Sequence, residues 1–340
     1  MSAPHLPLLR NLRLRPATFS LEPAPPFRLD LTVWALRRRP DNRVDDWDGE
    51  IYRRALALDG KIVEVAVAQT GLPDAPRLEV MAPGARLSPG MKSAVTEALN
   101  RLLGLKIDLS GFYRLAAADR RLRPLAERFR GLKPPRFPTV FEALANGIAC
   151  QQVTLTLGIR LLNRLAENYG AAITGSHLHA FPQAPGLAGL DPERLRRLKF
   201  SRQKARALIE LSDAVVEGKL NLEGLALLDD EAAVARLLQL WGVGRWTAEY
   251  TLLRGLGRLH VFPGDDVGAR NNLQRWLRLK KPLDYEGAQH ALIQWEPYAG
   301  LIYFHLLLDR LAEAGVITPG HNVSAPQTPR ALASHREGMC

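Results

Sequence analysis

The periodicity of the chain changes character at Pro89, and that change divides the fold. Upstream, IYRRALALDGKIVEVAVAQT (51–70) alternates partly in period two around Asp59-Gly60, a dipeptide suited to a two-residue hairpin turn. Pro73 and Pro76 punctuate the next turn, and RLEVMA (77–82) is a further strand candidate. LTVWALRRRPDN (31–42) fits a short helix ending near Pro40. Residues 10–88 therefore read as a small N-terminal α+β domain containing an antiparallel sheet. From Met91 the apolar spacing is 3.6-periodic. MKSAVTEALNRLLGL, FYRLAAADRRLRPLAERFRG and TVFEALANGIACQQVTLTLGIRLLNRLAENYG each carry one or two helices, the last broken at Gln151-Gln152. Asp191 and Ser201 stand where caps of two more helices belong, and 285–294 and 298–315 hold the last two. The expected fold class is mainly α: helical domains over 89–318 behind the small α+β domain, with a disordered polar tail at 319–340.

At 340 residues the chain can bury two or three cores, and its formal net charge of +11 suits a polyanionic partner. Nucleic acid is the first choice, an ordinary basic enzyme the second and an anionic membrane surface the third. The two cysteines, Cys150 and Cys340, cannot build a disulfide framework or ligate an iron–sulfur cluster. Cys150, in an apolar helical stretch, is expected to be a buried small side chain. No phosphate-binding or dinucleotide fingerprint is present, and the eight histidines lack metal-ligand spacing; the closest pair, His177 and His179, sits in a loop. With no signal peptide and no apolar run of membrane-spanning length, the expectation is a reduced, cytoplasmic, nucleoid-associated monomer with no membrane partner.

The segment LLQLWGVGRWTAEYTLLRGLG (237–257) narrows the function. One helix ends at Leu240, Gly242-Val243-Gly244 forms a tight turn, and a second helix follows at once, the whole unit spanning 233–257. Free N–H groups of such a turn, joined to a helix N-terminus, make an anion site; a DNA phosphate is the natural occupant, and Arg245 can add a charged hydrogen bond. A plain glycine-rich helix corner is the alternative. Next, VFPGDDVGARNNLQRWL (261–277) turns at Pro263-Gly264 and presents Asp265 and Asp266. One acid is expected to cap the following helix and the other to point back into a cleft over the hairpin. A carboxylate beside DNA is costly without a task. Cleavage of an N-glycosidic bond supplies one, because the sugar develops oxocarbenium charge that a carboxylate stabilises, or because a carboxylate orients the attacking water.

These residues resemble the helix–hairpin–helix DNA glycosylase superfamily and, within it, the bacterial inducible 3-methyladenine DNA glycosylase type II family. The resemblance rests on Leu240-x-Gly242-Val243-Gly244-Arg245-Trp246-Thr247-Ala248-x-Tyr250 and on Val261-Phe262-Pro263-x-Asp265-Asp266. Gln151 to Thr154, Phe200-Ser201-Arg202-x-Lys204-Ala205 and Pro25-Pro26-Phe27 through Pro40-x-Asn42 extend it over roughly 20–315. Trp241 departs from the pattern, which usually has proline there, and Ala299-Gly300 replaces an Arg-Ser or Arg-Gly pair. The resemblance implies that Asp266 is the catalytic carboxylate. Members that form a Schiff base carry lysine where this chain has Trp246, so a monofunctional, water-using route is implied. No cofactor is needed for catalysis. A structural Na⁺ or K⁺ is implied at the hairpin, on the main-chain carbonyls of Leu238, Leu240 and Val243.

Such an enzyme must evert its target base from duplex DNA containing damaged bases. Alkylated purines of the 3-methyladenine and 7-methylguanine type carry positive charge, so aromatic faces suit them. Trp246 and Tyr250 are four apart and share a helix face; Trp295 and Trp34 are further pocket candidates, with core packing the alternative for each. Gln152 stands where the resemblance places the wedge that fills the vacated stack. Gly242, Val243, Gly244, Arg245, Thr247, Ser201 and Arg202 are candidates for backbone contact, and Arg194, Arg196, Arg197, Lys199, Lys204 and Arg206 add a basic surface. A same-fold enzyme for deaminated or oxidised bases and a non-enzymatic DNA-binding hairpin protein are the rival readings; Asp266 argues against the second.

Overall fold

A computed structural model describes residues 17–83 and 87–318; the tail expected to be disordered lies outside the described residues. Five strands, β1 (Ala17–Leu21), β2 (Asp46–Trp47), β3 (Ile51–Leu58), β4 (Lys61–Gln69) and β5 (Leu78–Ala82), form an antiparallel sheet in the order β1-β5-β4-β3-β2. Asp59 and Gly60 both take positive φ between β3 and β4, the twist-matched turn geometry that their sequence suggests. β1 carries no turn signal of its own: its partner, β5, lies far along the chain, so its alternation becomes informative only once the pairing is known.

The helices are α1 (Leu29–Arg37), α2 (Pro89–Leu103), α3 (Ser110–Ala118), α4 (Leu122–Arg128), α5 (Val140–Cys150), α6 (Leu155–Tyr169), α7 (Pro192–Arg197), α8 (Arg202–Val216), α9 (Asp230–Leu238), α10 (Arg245–Thr251), α11 (Val267–Leu277), α12 (Tyr285–Leu292) and α13 (Ala299–Glu313). The Ser201 and Asp191 side chains accept backbone N–H groups as helix caps, and Thr139 and Thr154 do the same for α5 and α6.

Three apolar cores organise these elements. Tyr52, Val65, Val67 and Val80 of the sheet bury against α1 and α2, and Tyr250 of α10 reaches the same core. A second core joins α5, α6, α8, α9 and α10. A third joins α3, α4 and α11–α13, with Leu31 and Ala35 on the opposite side of α1. The sheet is also tied to α5 by charge: buried Arg54 of β3 pairs with both Asp45 and Glu142, and Tyr52 donates its hydroxyl to Asp45 at 2.8 Å. Removing one member of such a set strands the others without water, which makes it a strict register for the joint. A cavity of about 400 Å³ lies beside this joint, lined by Arg54–Leu58, Phe181–Pro185 and Leu220–Glu223; Asp266 does not line it.

Candidate active site

Asp266 sits between the hairpin and α13, on a turn held by its neighbours from several sides. The Gly264 N–H donates to buried Glu249 at 3.1 Å, Arg270 donates to the Gly264 carbonyl at 2.8 Å, and Gln289 donates to the Phe262 carbonyl at 3.0 Å. Tyr285 donates to the other Glu249 oxygen at 2.6 Å. Burial pushes the Glu249 carboxyl up, against the pull of these donors.

The division of labour expected between the two acids is not what the structure shows. Asp266 itself caps α11, its Oδ1 accepting the Ala269 N–H at 2.9 Å, while its Oδ2 accepts Trp246 Nε1–H at 3.3 Å and the Tyr303 hydroxyl at 3.4 Å. A carboxylate has lone pairs enough for both tasks. Asp265 instead takes Arg245 in a two-pronged pair at 2.7 and 3.1 Å, and Arg245 also lies 3.7 Å over the Tyr285 ring. Arg245 is therefore held against the Asp265-Asp266 turn rather than standing free beside the hairpin. Tyr303 is the site residue that sequence reasoning missed. It lies in a run of apolar helix residues, where nothing marks one hydroxyl for a site. Burial, then the Asp266 charge, pushes the Tyr303 hydroxyl well above the ordinary phenol range, so it remains a donor.

Of the aromatic candidates, Trp246 and Tyr250 stack at 5.4 Å between centroids, as their spacing implies. Trp246 is half-buried, whereas Tyr250 is 2% exposed and accepts Arg38 through its hydroxyl at 2.8 Å. Tyr250 thus backs the half-buried Trp246 indole from the core. Trp295 is corrected to a core residue: 1% exposed, it packs at 5.0 Å on Trp276 and donates its indole N–H to Asp119. Trp34 is half-buried against the third core with Arg37 over its ring, and stacks with neither Trp246 nor Tyr250. Gly300 has a packing reason, whereas nothing in the structure explains Ala299 in place of arginine. The Gly300 N–H donates to the Leu259 carbonyl at 2.7 Å, and a Cβ there would stand 2.5 Å from the Val261 oxygen.

At the hairpin, Gly242 has φ +76°, Val243 is buried and Gly244 is exposed. The N–H groups of Gly242 and Gly244 meet no acceptor among the described residues, as an anion site requires. The carbonyls of Leu238 and Val243 likewise accept no hydrogen bond there, and that of Leu240 accepts only the Val243 N–H, so all three suit a monovalent cation. Thr247 departs from its expected DNA contact: it is 1% exposed, and its hydroxyl accepts Gln151 at 2.9 Å. Trp241, in place of the pattern's proline, is 48% exposed with Arg206 only 3.8 Å over its ring. Ser201 and Arg202 are exposed at the start of α8, and Gln152 is exposed at the α5–α6 turn. Lys204 leaves the basic surface, being 9% exposed and donating to the Ala149 carbonyl. Cys150 is only half-buried, packed against Gly158.

A family model for "HhH-GPD superfamily base excision DNA repair protein" matches residues 145–297, the span that holds α10 and Asp266. DNA-3-methyladenine glycosylase 2 of Escherichia coli is 30% identical over 256 residues, 73% of this chain and 84% of that protein. This chain belongs to the DNA-3-methyladenine glycosylase II-like family. The glycosylase is also 28% identical over 217 residues to DNA-3-methyladenine glycosylase of Bacillus subtilis, covering 63% of this chain and 72% of that one. The solved 3-methyladenine DNA-glycosylase from Archaeoglobus fulgidus shares its fold with a TM-score of 0.75 at 28% identity, over 86% of this chain and 98% of that chain. This glycosylase is a hydrolase of damaged DNA bases, mainly helical with an N-terminal antiparallel sheet, and its substrate is duplex DNA. No helix among the described residues is long and apolar enough to cross a membrane.

Proposed function

We propose that this glycosylase removes 3-methyladenine- and 7-methylguanine-type purines by a monofunctional, water-using route. One observation carries the reading: Oδ2 of Asp266 lies beside the half-buried indole of Trp246, on the helix that follows the hairpin. An everted alkylpurine stacks on Trp246, where cation–π attraction favours its positive charge. The glycosidic electrons pass to the base, which departs neutral and so needs no general acid. Charge develops on the deoxyribose, and Asp266 Oδ2 stabilises it while water adds at C1′ and releases its extra proton to solvent. Tyr303 and Trp246 hold that oxygen in place, and Trp246 supplies no amine for a Schiff base. A monovalent cation held by the Leu238, Leu240 and Val243 carbonyls would add positive charge between hairpin and phosphate.

A second substrate class is favoured by a separate observation. Arg38 and Arg254 are buried behind the Trp246–Tyr250 stack without a carboxylate partner among the described residues. Their charge favours a leaving base that departs as an anion, as a neutral deaminated purine does. Single-turnover base release from duplexes carrying one lesion each, with the native enzyme and Asp266→Asn, separates these readings. Faster release of cationic than of neutral lesions, abolished by the substitution, is expected. Release that survives the substitution sinks the mechanism, and a borohydride-trapped adduct sinks the monofunctional route.

A further inference from the structure

The α5–α6 turn is bound to the hairpin by one side chain. Gln151 Nε2 donates to the Gly242 carbonyl at 2.7 Å and to Thr247 Oγ1 at 2.9 Å, thereby touching both the hairpin turn and the helix after it. Two residues before it, buried Lys204 of α8 donates to the Ala149 carbonyl at 2.9 Å. Immediately after it, exposed Gln152 has φ +50°, in the left-handed region. A non-glycine residue held there costs roughly 1 kcal/mol or more and persists when its surroundings fix it. The turn is short: Gln151 closes α5, with its N–H on the Gly147 carbonyl, and Thr154 caps α6. The three side chains of the turn are Gln151, which points at the hairpin, exposed Gln152 and half-buried Val153.

We infer that Gln151 is a positioning residue for base eversion, fixing the height of Gln152 relative to the backbone-gripping hairpin. The inference rests on Gln152 being the residue that enters the vacated stack. A hairpin on the phosphates and a side chain in the base stack must keep a constant offset, because misplacement by an ångström is costly in rate. Two hydrogen bonds from one amide set that offset, and they use the Gly242 carbonyl while leaving that of Val243 open.

The test uses Gln151→Leu, which keeps the volume but cannot donate, with Gln152→Ala and the double variant. Eversion is read by 2-aminopurine fluorescence at the lesion's neighbour, and base release by single-turnover kinetics. Expected is a loss on the order of ten-fold in eversion for Gln151→Leu, the size of a lost pair of hydrogen bonds. Affinity for undamaged duplex should stay within about two-fold, because the hairpin's own N–H groups are untouched. The double variant should be no slower than Gln152→Ala alone. Both single variants should regain native rates on a lesion opposite an abasic gap, where no orphaned base needs a partner. If Gln152→Ala slows eversion and Gln151→Leu does not, the clamp is wrong and the wedge stands. If neither slows it, the wedge reading fails and the clamp with it. Additive losses also overturn the clamp. Should Gln151→Leu melt early, Thr247→Val removes one of the two acceptors from the other side, and half the effect is expected from it.

Discussion

Replacing Asp266 by Asn leaves an oxygen for the Ala269 N–H but removes the charge beside Trp246. Asn is as good a cap as Asp, so melting temperature should hold while base release disappears. Asp266→Ala should lose release and also about 1 kcal/mol of stability with the cap. Thermal melts alongside base-release assays distinguish the two. This pairing of tasks was hidden in the sequence. Two adjacent acids before a helix invite the idea that one caps and the other reacts, and nothing in one dimension says that a single carboxylate has an oxygen for each. Tyr303 was hidden for a related reason: its meaning depends on α13 crossing the Asp266 turn, which only the tertiary packing decides.

The hairpin was legible because its constraints are local. Gly242 needs positive φ, and a Cβ there would also meet Ala207 of α8 at 2.8 Å. Gly242→Ala should therefore cost about 1–3 kcal/mol and weaken DNA binding, with a smaller effect on the rate at saturating DNA. Denaturant titration and binding isotherms check the two halves. The hairpin between β3 and β4, the caps at Asp191 and Ser201 and the break after Cys150 were legible on the same grounds. Trp295 was misplaced because an aromatic near a family-like segment reads the same whether it faces a pocket or a core. Its burial depends on α11, whose Trp276 covers it. Thr247 was misplaced because its helix turns that hydroxyl towards Gln151 and away from solvent.

Across the whole molecule, net charge overstates the grip on DNA. In the basic stretch 194–206, Arg196 and Arg206 pair with Glu193 and Glu210, and Lys204 is buried. Arg194, Arg197, Lys199 and Arg202 are exposed and free of ion pairs among the described residues. If these carry the phosphate contacts, log affinity should fall with log salt at a slope of about −4, from about 0.9 per phosphate, and a slope nearer −7 would count against the assignment. A different whole-molecule property follows from His305, fully buried in α13 beside Phe112 and Phe129. Burial holds its pKa down at about 4, so the folded state keeps the ring neutral where the unfolded chain, near 6.5, already binds a proton. Its contribution is intact above 6.5 and is lost as pH falls towards 4. Melting temperature against pH should flatten over that window in His305→Phe.

The two-oxygen role of Asp266 bears on which acid a position of this kind can hold. Glutamate carries the same charge and would serve the chemistry as well. It is one methylene longer, however, and cannot close the short ring to the Ala269 N–H while keeping its second oxygen at Trp246 and Tyr303. Asp266→Glu should therefore be nearly inactive and less stable than Asp266→Asn, although it alone keeps the carboxylate. Helix α11, and not the sugar chemistry, would then have dictated the length of the reacting side chain.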